Sequence, residues 1–362
     1  MQSARSCSTS RQRIPPASRL YRKFHQTTPP PLLGYLCSHF NNKLDLITQF
    51  VPATTSPHIP FLQPPLACYR PLDCRHGCVL LDSVEARKKS SLAVWDPIAG
   101  GHVQLSQPKG STLSYSGTVL CTVPGCDDHH HDCHSGPFRV VFVASGGKVA
   151  RAWVYSSEAV AWSAPASVDL GEHAVHTFVD TVDLVEHTVH NFVDRKCGAI
   201  VGDGIYFLLS GAAAILKFDL GKHCLSLIGS PDVYDSKPVA LMSMEDGSLG
   251  LAGVKRGLTL HLWSRKVNNP KGVANWVQYK VIMLEKLFPT YKSYHRLNVI
   301  SFAEGVGVLL VAADVSAFIL ELKSGRVKKV SMPRWSNDAI PFTGFYIPDF
   351  TSSRLQLLAE TN

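Results

Sequence analysis

Residues 126–134 place two thiols and several imidazoles within one short stretch, which is the chemistry of a metal site. The candidate ligands are Cys126, His129, His131, Cys133 and His134. Thiolate and imidazole are the usual ligands of zinc, but structural sites present them as pairs two to four residues apart. The six residues between the two cysteines depart from that spacing. The sequence therefore favours a solvated loop and predicts neither a physiological metal nor a cofactor.

Cys74 and Cys78 form a second candidate redox or metal pair, because only Arg75, His76 and Gly77 separate them. Redox and zinc pairs are usually separated by two residues rather than three. We therefore expect a tight turn at Gly77 that leads into a strand.

Four histidines could form a pH-sensitive or metal-binding patch, since their spacing repeats. They are His173, His176, His187 and His190. They lie in residues 168–180 (VDLGEHAVHTFVD) and 182–194 (VDLVEHTVHNFVD), two nearly identical copies fourteen positions apart. A tandem duplication explains their number without any function. We expect the extra length, and the loop at 126–134, to lie at the surface and to be dispensable for folding.

Catalytic signatures are absent from the sequence. There is no G-x-S-x-G elbow, no H-E-x-x-H pair, no phosphate-binding loop with Lys-Ser/Thr and no dinucleotide fingerprint. Gly202-Asp203-Gly204 fits a tight turn better than a phosphate loop. The sequence therefore predicts a protein that is not an enzyme.

The elements that would position these residues are short β-strands. Of the 362 residues, 45% are hydrophobic and 18% are charged, which suits a large globular core. From about residue 72 onward, β-branched and aromatic runs alternate with Gly, Pro, Asp and Ser. The predicted strands are 78–81, 92–95, 118–122, 139–144, 150–155, 205–209, 215–219, 258–262, 276–282, 306–312, 317–322 and 328–332.

One hairpin pattern recurs along the chain. Residues 90–108, 213–231 and 316–333 each contain an apolar strand that ends in an acidic residue, a turn with glycine and a return strand that leads to proline. Residues 258–284 resemble a longer version. Repetition at this spacing indicates a repeat fold, and four-stranded blades around an axis would bury such hairpins. The fold class is therefore predicted as an all-β propeller with six or seven blades.

Residues 1–66 differ from the rest of the chain, because they are rich in proline and lack sustained periodicity. We expect a disordered basic leader at 1–17, a proline-rich linker at 18–66 with a short helix near 19–25, the propeller at 67–352 and a tail at 353–362. The leader precedes the first acidic residue, Asp45, and superficially resembles an organelle transit peptide.

The charge and the cysteine content limit which kinds of partner and which cellular compartment are expected. A net charge of +8 is mild at this length and shows no basic stripe with interleaved aromatics, so nucleic-acid binding is not predicted. The longest uncharged apolar stretch, 306–313, is too short to span a membrane. Ten cysteines without a secretory signal are typical of reduced thiols, which favours the cytoplasm or nucleus, with organelle import as the alternative.

Six blocks of the chain together resemble a large family of grass F-box proteins, over residues 18–350. They are PPLLGYLCSHF (30–40), LDCRHGCVLLDS (72–83), LAVWDPIAGG (92–101), GCDDHHHDCHSGPFRVVFV (125–143), VGDGIYFLL (201–209) and ILKFDLGKHCLSLI (215–228). The resemblance implies a substrate-recognition domain of an SCF-type ubiquitin ligase. In such proteins an F-box docks on a Skp-type adaptor, and a C-terminal propeller-like domain captures the protein to be ubiquitinated.

The chain departs from that family at its N-terminus. Residues 18–36 resemble the segment just after an F-box, and the Ser, Arg and Pro content of residues 1–17 cannot build the F-box helices. The leading hypothesis is a protein-interaction module with an unknown protein substrate, truncated before its adaptor-binding part. The alternatives are an organelle-targeted or metal-binding propeller and a propeller enzyme.

This departure predicts that the chain does not bind a Skp-type adaptor, although full-length relatives should. A stable interface needs roughly 800 Å² from each partner, and a short Ser-, Arg- and Pro-rich segment offers no preorganised apolar patch of that size. Calorimetric titration of the purified chain with a plant adaptor should show no binding. Micromolar or tighter affinity would contradict the prediction and would place an adaptor site within residues 1–60.

Overall fold

The computed structural model describes a part of the chain that spans most of the predicted propeller. The described residues are 31–41, 45–53, 68–84, 91–97, 101–111, 114–123, 136–171, 175–179, 186–190, 192–209, 214–231, 239–255, 259–267, 274–287, 297–313, 316–333 and 338–343. Within them the chain forms twenty-six strands and one helix of four residues. The leader at 1–17, the helix predicted at 19–25 and the tail at 353–362 lie outside them.

The strands form six antiparallel sheets around an axis, and each of these sheets is called a blade. Blade 1 contains β1 (Leu32–Phe40) and β2 (Leu46–Pro52). Blade 2 contains β3 (Tyr69–Arg75), β4 (Cys78–Ser83), β5 (Ser91–Asp96) and β6 (Gly101–Ser106). Blade 3 contains β7 (Ser114–Cys121), β8 (Phe138–Gly146), β9 (Val149–Ser156), β10 (Ala161–Trp162) and β11 (Ala166–Asp169).

The remaining blades follow a separate hairpin of β12 (Val175–Val179) and β13 (Glu186–His190). Blade 4 contains β14 (Ala199–Val201), β15 (Gly204–Leu208), β16 (Ala214–Asp219) and β17 (Cys224–Gly229). Blade 5 contains β18 (Val239–Ser243), β19 (Leu249–Lys255), β20 (Thr259–Val267) and β21 (Ala274–Met283), and helix α1 (Leu284–Leu287) follows it. Blade 6 contains β22 (Leu297–Ala303), β23 (Val308–Ala313), β24 (Ser316–Glu321) and β25 (Val327–Val330), after which β26 (Asp338–Thr343) returns to blade 1.

This arrangement is a six-bladed β-propeller, which confirms the predicted fold class. The first strands of blades 2, 3, 5 and 6 line the axis together with β26, and neighbouring ones contact each other. The three repeated hairpins are the outer strand pairs of blades 2, 4 and 6, and residues 258–284 hold the outer pair of blade 5. The turn predicted at Gly77 is also present, because His76 and Gly77 join β3 to β4 with φ angles of 51° and 73°. Such left-handed pairs match the twist of a two-residue hairpin.

Six apolar clusters hold the blades together, one between each adjacent pair. β8 shows how the sequence makes them. Val140 and Phe142 of this strand pack against blade 2, whereas Val141 and Val143 pack against blade 4. Successive side chains of a strand point to opposite faces, so a strand between two blades must be apolar at every position. The uninterrupted apolar runs of the sequence follow from this.

Each of the six blade interfaces also carries a hydrogen bond from a side chain to a backbone carbonyl of the neighbouring blade. In order from the interface of blades 1 and 2, the bonds are Thr48 to Tyr69 (2.7 Å), Trp162 to Ser106 (2.9 Å), His223 to Ala164 (3.0 Å), Trp276 to Gly229 (2.7 Å), Lys280 to Leu322 (2.8 Å) and Lys328 to Ala53 (2.7 Å). Apolar packing is non-directional, so on its own it does not fix the position of one blade relative to its neighbour. These hydrogen bonds are directional and do fix it.

Blade 1 corrects the prediction that residues 1–66 lie outside the core. β1 pairs with β2 on one side and with β26 on the other, so β26 is the innermost strand of a three-stranded blade. Tyr35, Leu36 and Cys37 of β1 are completely buried. The two strands β1 and β2 therefore belong to the propeller and not to a linker. The sequence obscured this because β26, the inner partner of β1, lies near the opposite end of the chain.

The duplicated segment is anchored at both ends. At its start, Val168 and Asp169 pair with β9, and Leu170 is completely buried. At its end, Val193 is buried and its amide donates to Ser145 Oγ at 2.8 Å. Between these ends, β12 and β13 pair only with each other among the described strands. The extra length thus forms a hairpin, while the ends of the duplication belong to the propeller.

The described part of the chain contains no helix that is long and apolar enough to cross a membrane.

Deletion of residues 181–194 should leave the melting temperature within about 2 °C of the wild-type value. The two copies repeat every fourteen residues, so Val179 and Asp180 would move into the anchored positions of Val193 and Asp194. Differential scanning calorimetry measures the change.

V193D is the matched control, because it places a charge at the buried anchor and should lower the melting temperature clearly. A loss of several degrees on deletion would contradict the prediction. So would stoichiometric zinc in protein purified without a histidine tag.

Candidate functional site

The axis of the propeller is the natural place to look for a site, because the inner strands of the blades converge there. The inner strand of blade 4 is interrupted. Val193 forms an antiparallel bridge with Leu209, and Asp194 donates its amide to Leu208 at 2.8 Å, whereas regular pairing resumes only at Ala199. Residues 195–198, here called the axial segment, lie between these two paired stretches. The interruption sends them out of the sheet and into the axis.

The axial segment is held by the inner strands of several blades. Lys196 Nζ donates to the carbonyl of Val239 in β18 at 2.9 Å and to that of Val299 in β22 at 3.2 Å. Ser116 of β7 donates to the Lys196 carbonyl at 3.1 Å, and Cys197 Sγ lies 3.5 Å from the Leu72 carbonyl in β3. Blades 2, 3, 5 and 6 therefore meet on this one short segment of blade 4.

Arg75, the last residue of β3, is the charged centre of this region. Its Nε donates to Asp73 Oδ2 and to Thr118 Oγ1, each at 3.2 Å, and its Nη2 donates to the Gly198 carbonyl at 2.7 Å. Its Nη1 forms an ion pair with Glu304, which follows β22. One guanidinium thus links blades 2, 3, 4 and 6. Only arginine, with five donors in a rigid plane, can make all of these contacts at once.

Both carboxylates at the axis are engaged by this arginine. Asp73 Oδ2 also accepts hydrogen bonds from Thr118 Oγ1 and, at 3.1 Å, from the Val119 amide. Burial on its own would lower the pKa of Arg75, but the Glu304 and Asp73 carboxylates raise it above its usual value. Arg75 therefore stays charged at every pH at which the protein folds. The two carboxylates are therefore held in place by their bonds to Arg75.

A second buried charge cluster lies between blades 2 and 3. Asp82 is completely buried, and it accepts from Arg70 at 3.0 Å and from the Tyr115 hydroxyl at 2.7 Å. The guanidinium of Arg195 lies 5.6 Å from the centre of the Tyr115 ring. Burial, followed by the Asp82 carboxylate, raises the pKa of Tyr115 to about 12, so the phenol keeps its proton and donates. This cluster ties the start of the axial segment to blades 2 and 3.

A cavity of about 20 Å³ lies beside the axial segment, and its lining includes Arg195, Lys196, Ser301 and Ala339. Ser301 Oγ is buried and has no hydrogen-bond partner among the described residues. A space of this size holds about one water molecule, and a buried hydroxyl without a partner is a usual place for one. The cavity is too small for a metabolite.

The candidate metal ligands Cys126, His129, His131, Cys133 and His134 lie within residues 124–135, which are outside the described residues. Of the four histidines in the duplication, His173 is also outside them, and only the backbone of the other three is described, in β12 and β13. The described residues contain no group of three or more His, Cys, Asp or Glu side chains that could hold a metal ion.

Cys74 and Cys78 lie at the two sides of the β3–β4 turn and are not bonded to each other. Burial raises the pKa of Cys74 well above its usual value and that of Cys78 to about 12. The thiolate is the form that attacks disulfides and binds metals, and it is scarce at such pKa values. The local chemistry therefore favours the turn interpretation over a redox pair.

The axial residues Asp73, Arg75, Lys196 and Glu304 were not predicted from the sequence. A signal for the first two was present, because charged residues flank Cys74 in a strand whose other residues, apart from Arg70, are apolar or aromatic. Buried charges in strands are rare unless they are paired. Glu304 and Lys196 lie in polar turns and carry no such signal.

No protein-family model matches the chain, and no curated protein matches it. Among solved structures, the nidogen/laminin complex is similar at 10% identity and a TM-score of 0.46, over 86% of this chain and 98% of that one. A mutant of the Aleuria aurantia lectin AAL is similar at 11% identity and a TM-score of 0.42, over 84% and 99%. The major Malassezia sympodialis allergen Mala s 1 is similar at 12% identity and a TM-score of 0.42, over 72% and 79%. These values carry no inference about activity or partners, and the fold rests on the sheet topology of this chain.

Substitution of Arg75 by Met should lower the free energy of unfolding by about 3–5 kcal/mol, because Asp73 and Glu304 would lose their counter-charge in a buried site. Urea denaturation followed by circular dichroism measures the loss.

R326M is the matched control, since Arg326 pairs with Glu321 at 3.0 Å with side chains that are 78% and 41% exposed. An exposed pair of this kind contributes at most about 1 kcal/mol. Equal losses in the two variants would show that Arg75 does not hold the axis together.

Proposed function

We propose that this chain is a protein-interaction module, a propeller that binds a partner protein on its outer surface. The observation that carries the proposal is the network of contacts that crosses the axis. The axial segment and Arg75 join blades 2 to 6 there, and the cavity beside them, at about 20 Å³, is too small for a metabolite. The outer loops and blade edges offer surfaces large enough to bind a protein.

The engagement of the acidic groups supports the same proposal. Asp73 and Glu304 are both bound to Arg75, and Asp82 is bound to Arg70 and Tyr115. Catalysis by carboxylates requires at least one that faces a substrate with a free oxygen. The charges near the axis instead fix the relative positions of the blades, as a rigid scaffold for recognition loops requires.

The resemblance to grass F-box proteins suggests which kind of interaction module this is. In that interpretation the chain contains the substrate-recognition domain of an SCF-type ubiquitin ligase. It would hold an unidentified protein substrate in the cytoplasm or nucleus.

The test is capture of a partner by the immobilised chain, identification by mass spectrometry and titration of the purified partner by calorimetry. We expect saturable binding with one partner per chain. Binding should persist in S301A, which changes the axial cavity, because the partner is expected on the outer surface.

Two outcomes would contradict the proposal. One is the absence of any protein that binds stoichiometrically after purification. The other is a partner or small molecule whose binding is abolished by S301A while the melting temperature is unchanged, since that would place the ligand at the axis.

A further inference from the structure

Exposed apolar side chains are concentrated on the outer hairpin of blade 5. Of the ten large hydrophobic residues exposed in the described part of the chain, five lie on β20 and β21. They are Val267 (62% exposed), Val277 (37%), Tyr279 (43%), Val281 (44%) and Met283 (49%). Single exposed hydrophobic residues are ordinary, but a group on one strand marks a surface that binds something.

β21 is also an outer edge, because it is the last strand of its sheet and no described strand pairs with its outer side. It has ten residues, whereas the outer strands of blades 2, 4 and 6 have six, six and four. Proteins usually protect edges by keeping them short, charged or broken by proline. β25 follows that rule with Lys328 and Lys329, and β2 ends at Pro52.

The outer edge of β21 has fewer of these protective features than the outer edges of β25 and β2. Its only charge is Lys280, and it has no proline. One bulge lies at Tyr279, where pairing with β20 skips a residue between Gln278 and Lys280. The unprotected edge therefore offers unpaired backbone groups together with apolar side chains.

The charge of the hairpin decides between possible occupants. The described residues of β20 and β21 include Arg265, Lys266 and Lys280 and no carboxylate. Lys280 donates to a neutral carbonyl at 2.8 Å, so its charge is not cancelled there, and Lys266 pairs with Asp246 outside the hairpin at 2.9 Å. Pairing of β21 with the same edge of a second copy would bring like charges together, which is unfavourable. An acidic strand would be attracted instead.

We propose that β21 is a docking edge for an extended segment of a partner protein, one that alternates acidic and apolar residues and adds to blade 5 as a fifth strand. Main-chain hydrogen bonds with the edge supply affinity in this mode of binding, and the side chains supply specificity. The inference rests on the proposed function and names the surface and the kind of partner.

The test uses a fluorescein-labelled peptide that alternates glutamate with valine and isoleucine, titrated with the purified chain by fluorescence anisotropy. We expect a dissociation constant of about 100 µM or tighter. A peptide with lysine in place of glutamate should bind at least about tenfold more weakly at low salt. A version N-methylated at alternate residues should lose binding, because it cannot pair with the edge.

Variants locate the site on the protein. V281D and M283D should each weaken binding of the acidic peptide at least about tenfold, because they put a negative charge on the docking surface. V103D is the matched control, since Val103 is 47% exposed on β6, the outer edge of blade 2. It should leave the affinity unchanged, and circular dichroism checks that all three variants are folded.

Four results would overturn the inference. They are no binding of the acidic peptide, equal weakening by V103D, undiminished binding of the N-methylated peptide, and a dimer in sedimentation experiments that V281D dissociates. The last would make a second copy the occupant. If a captured partner binds V281D and wild type equally, this inference fails and the proposed function stands. If no protein partner exists, the proposed function fails whatever the peptide does.

Discussion

A ring of six blades leaves a gap at its centre, and the rest of this structure depends on how that gap is filled. Inner strands cannot approach more closely without clashes, and an empty or hydrated gap would expose their backbone carbonyls. Here the interrupted inner strand of blade 4 supplies Lys196 to two of those carbonyls and offers Gly198 to Arg75. Because the contacts belong to different blades, moving one blade outward would break bonds to several others. The centre thus restricts the outward movement of the blades.

The contacts between neighbouring blades also restrict blade movement, but in a different way. Apolar clusters between blades supply most of the favourable free energy but little direction, whereas the six side-chain-to-carbonyl bonds are directional and individually weak, at about 1 kcal/mol each. Trp162 and Trp276 serve both purposes, since each packs an indole ring against a core cluster and donates its N–H to the preceding blade. Tryptophan suits this position because one end of its side chain is apolar and the other polar.

The outer hairpins were predictable from sequence because their two strands are close in the chain and their turns carry glycine. The β3–β4 turn at Gly77 was predictable for the same reason. Blade 1 was not, since β1 depends on β26 for its inner partner and nothing local in residues 32–40 reveals this. The Arg75–Glu304 pair spans 229 positions, and a single sequence holds no record of which distant charges meet. The metal candidates at 126–134 were visible by residue type, but their role remains a prediction because they lie outside the described residues.

Blade 1 has a consequence for the order of events during synthesis. A ribosome adds about 5–20 residues per second, so β26 emerges about 15–60 s after β1. Until then β1, which carries Tyr35, Leu36 and Cys37, lacks its inner partner strand, although each blade from the second to the sixth can pair its own strands as it emerges. For most of its translation the nascent chain therefore exposes the open edge of an apolar strand that is paired only with β2. Chaperones that recognise extended apolar segments would have that interval in which to bind β1, and release would be coupled to the arrival of the last strand.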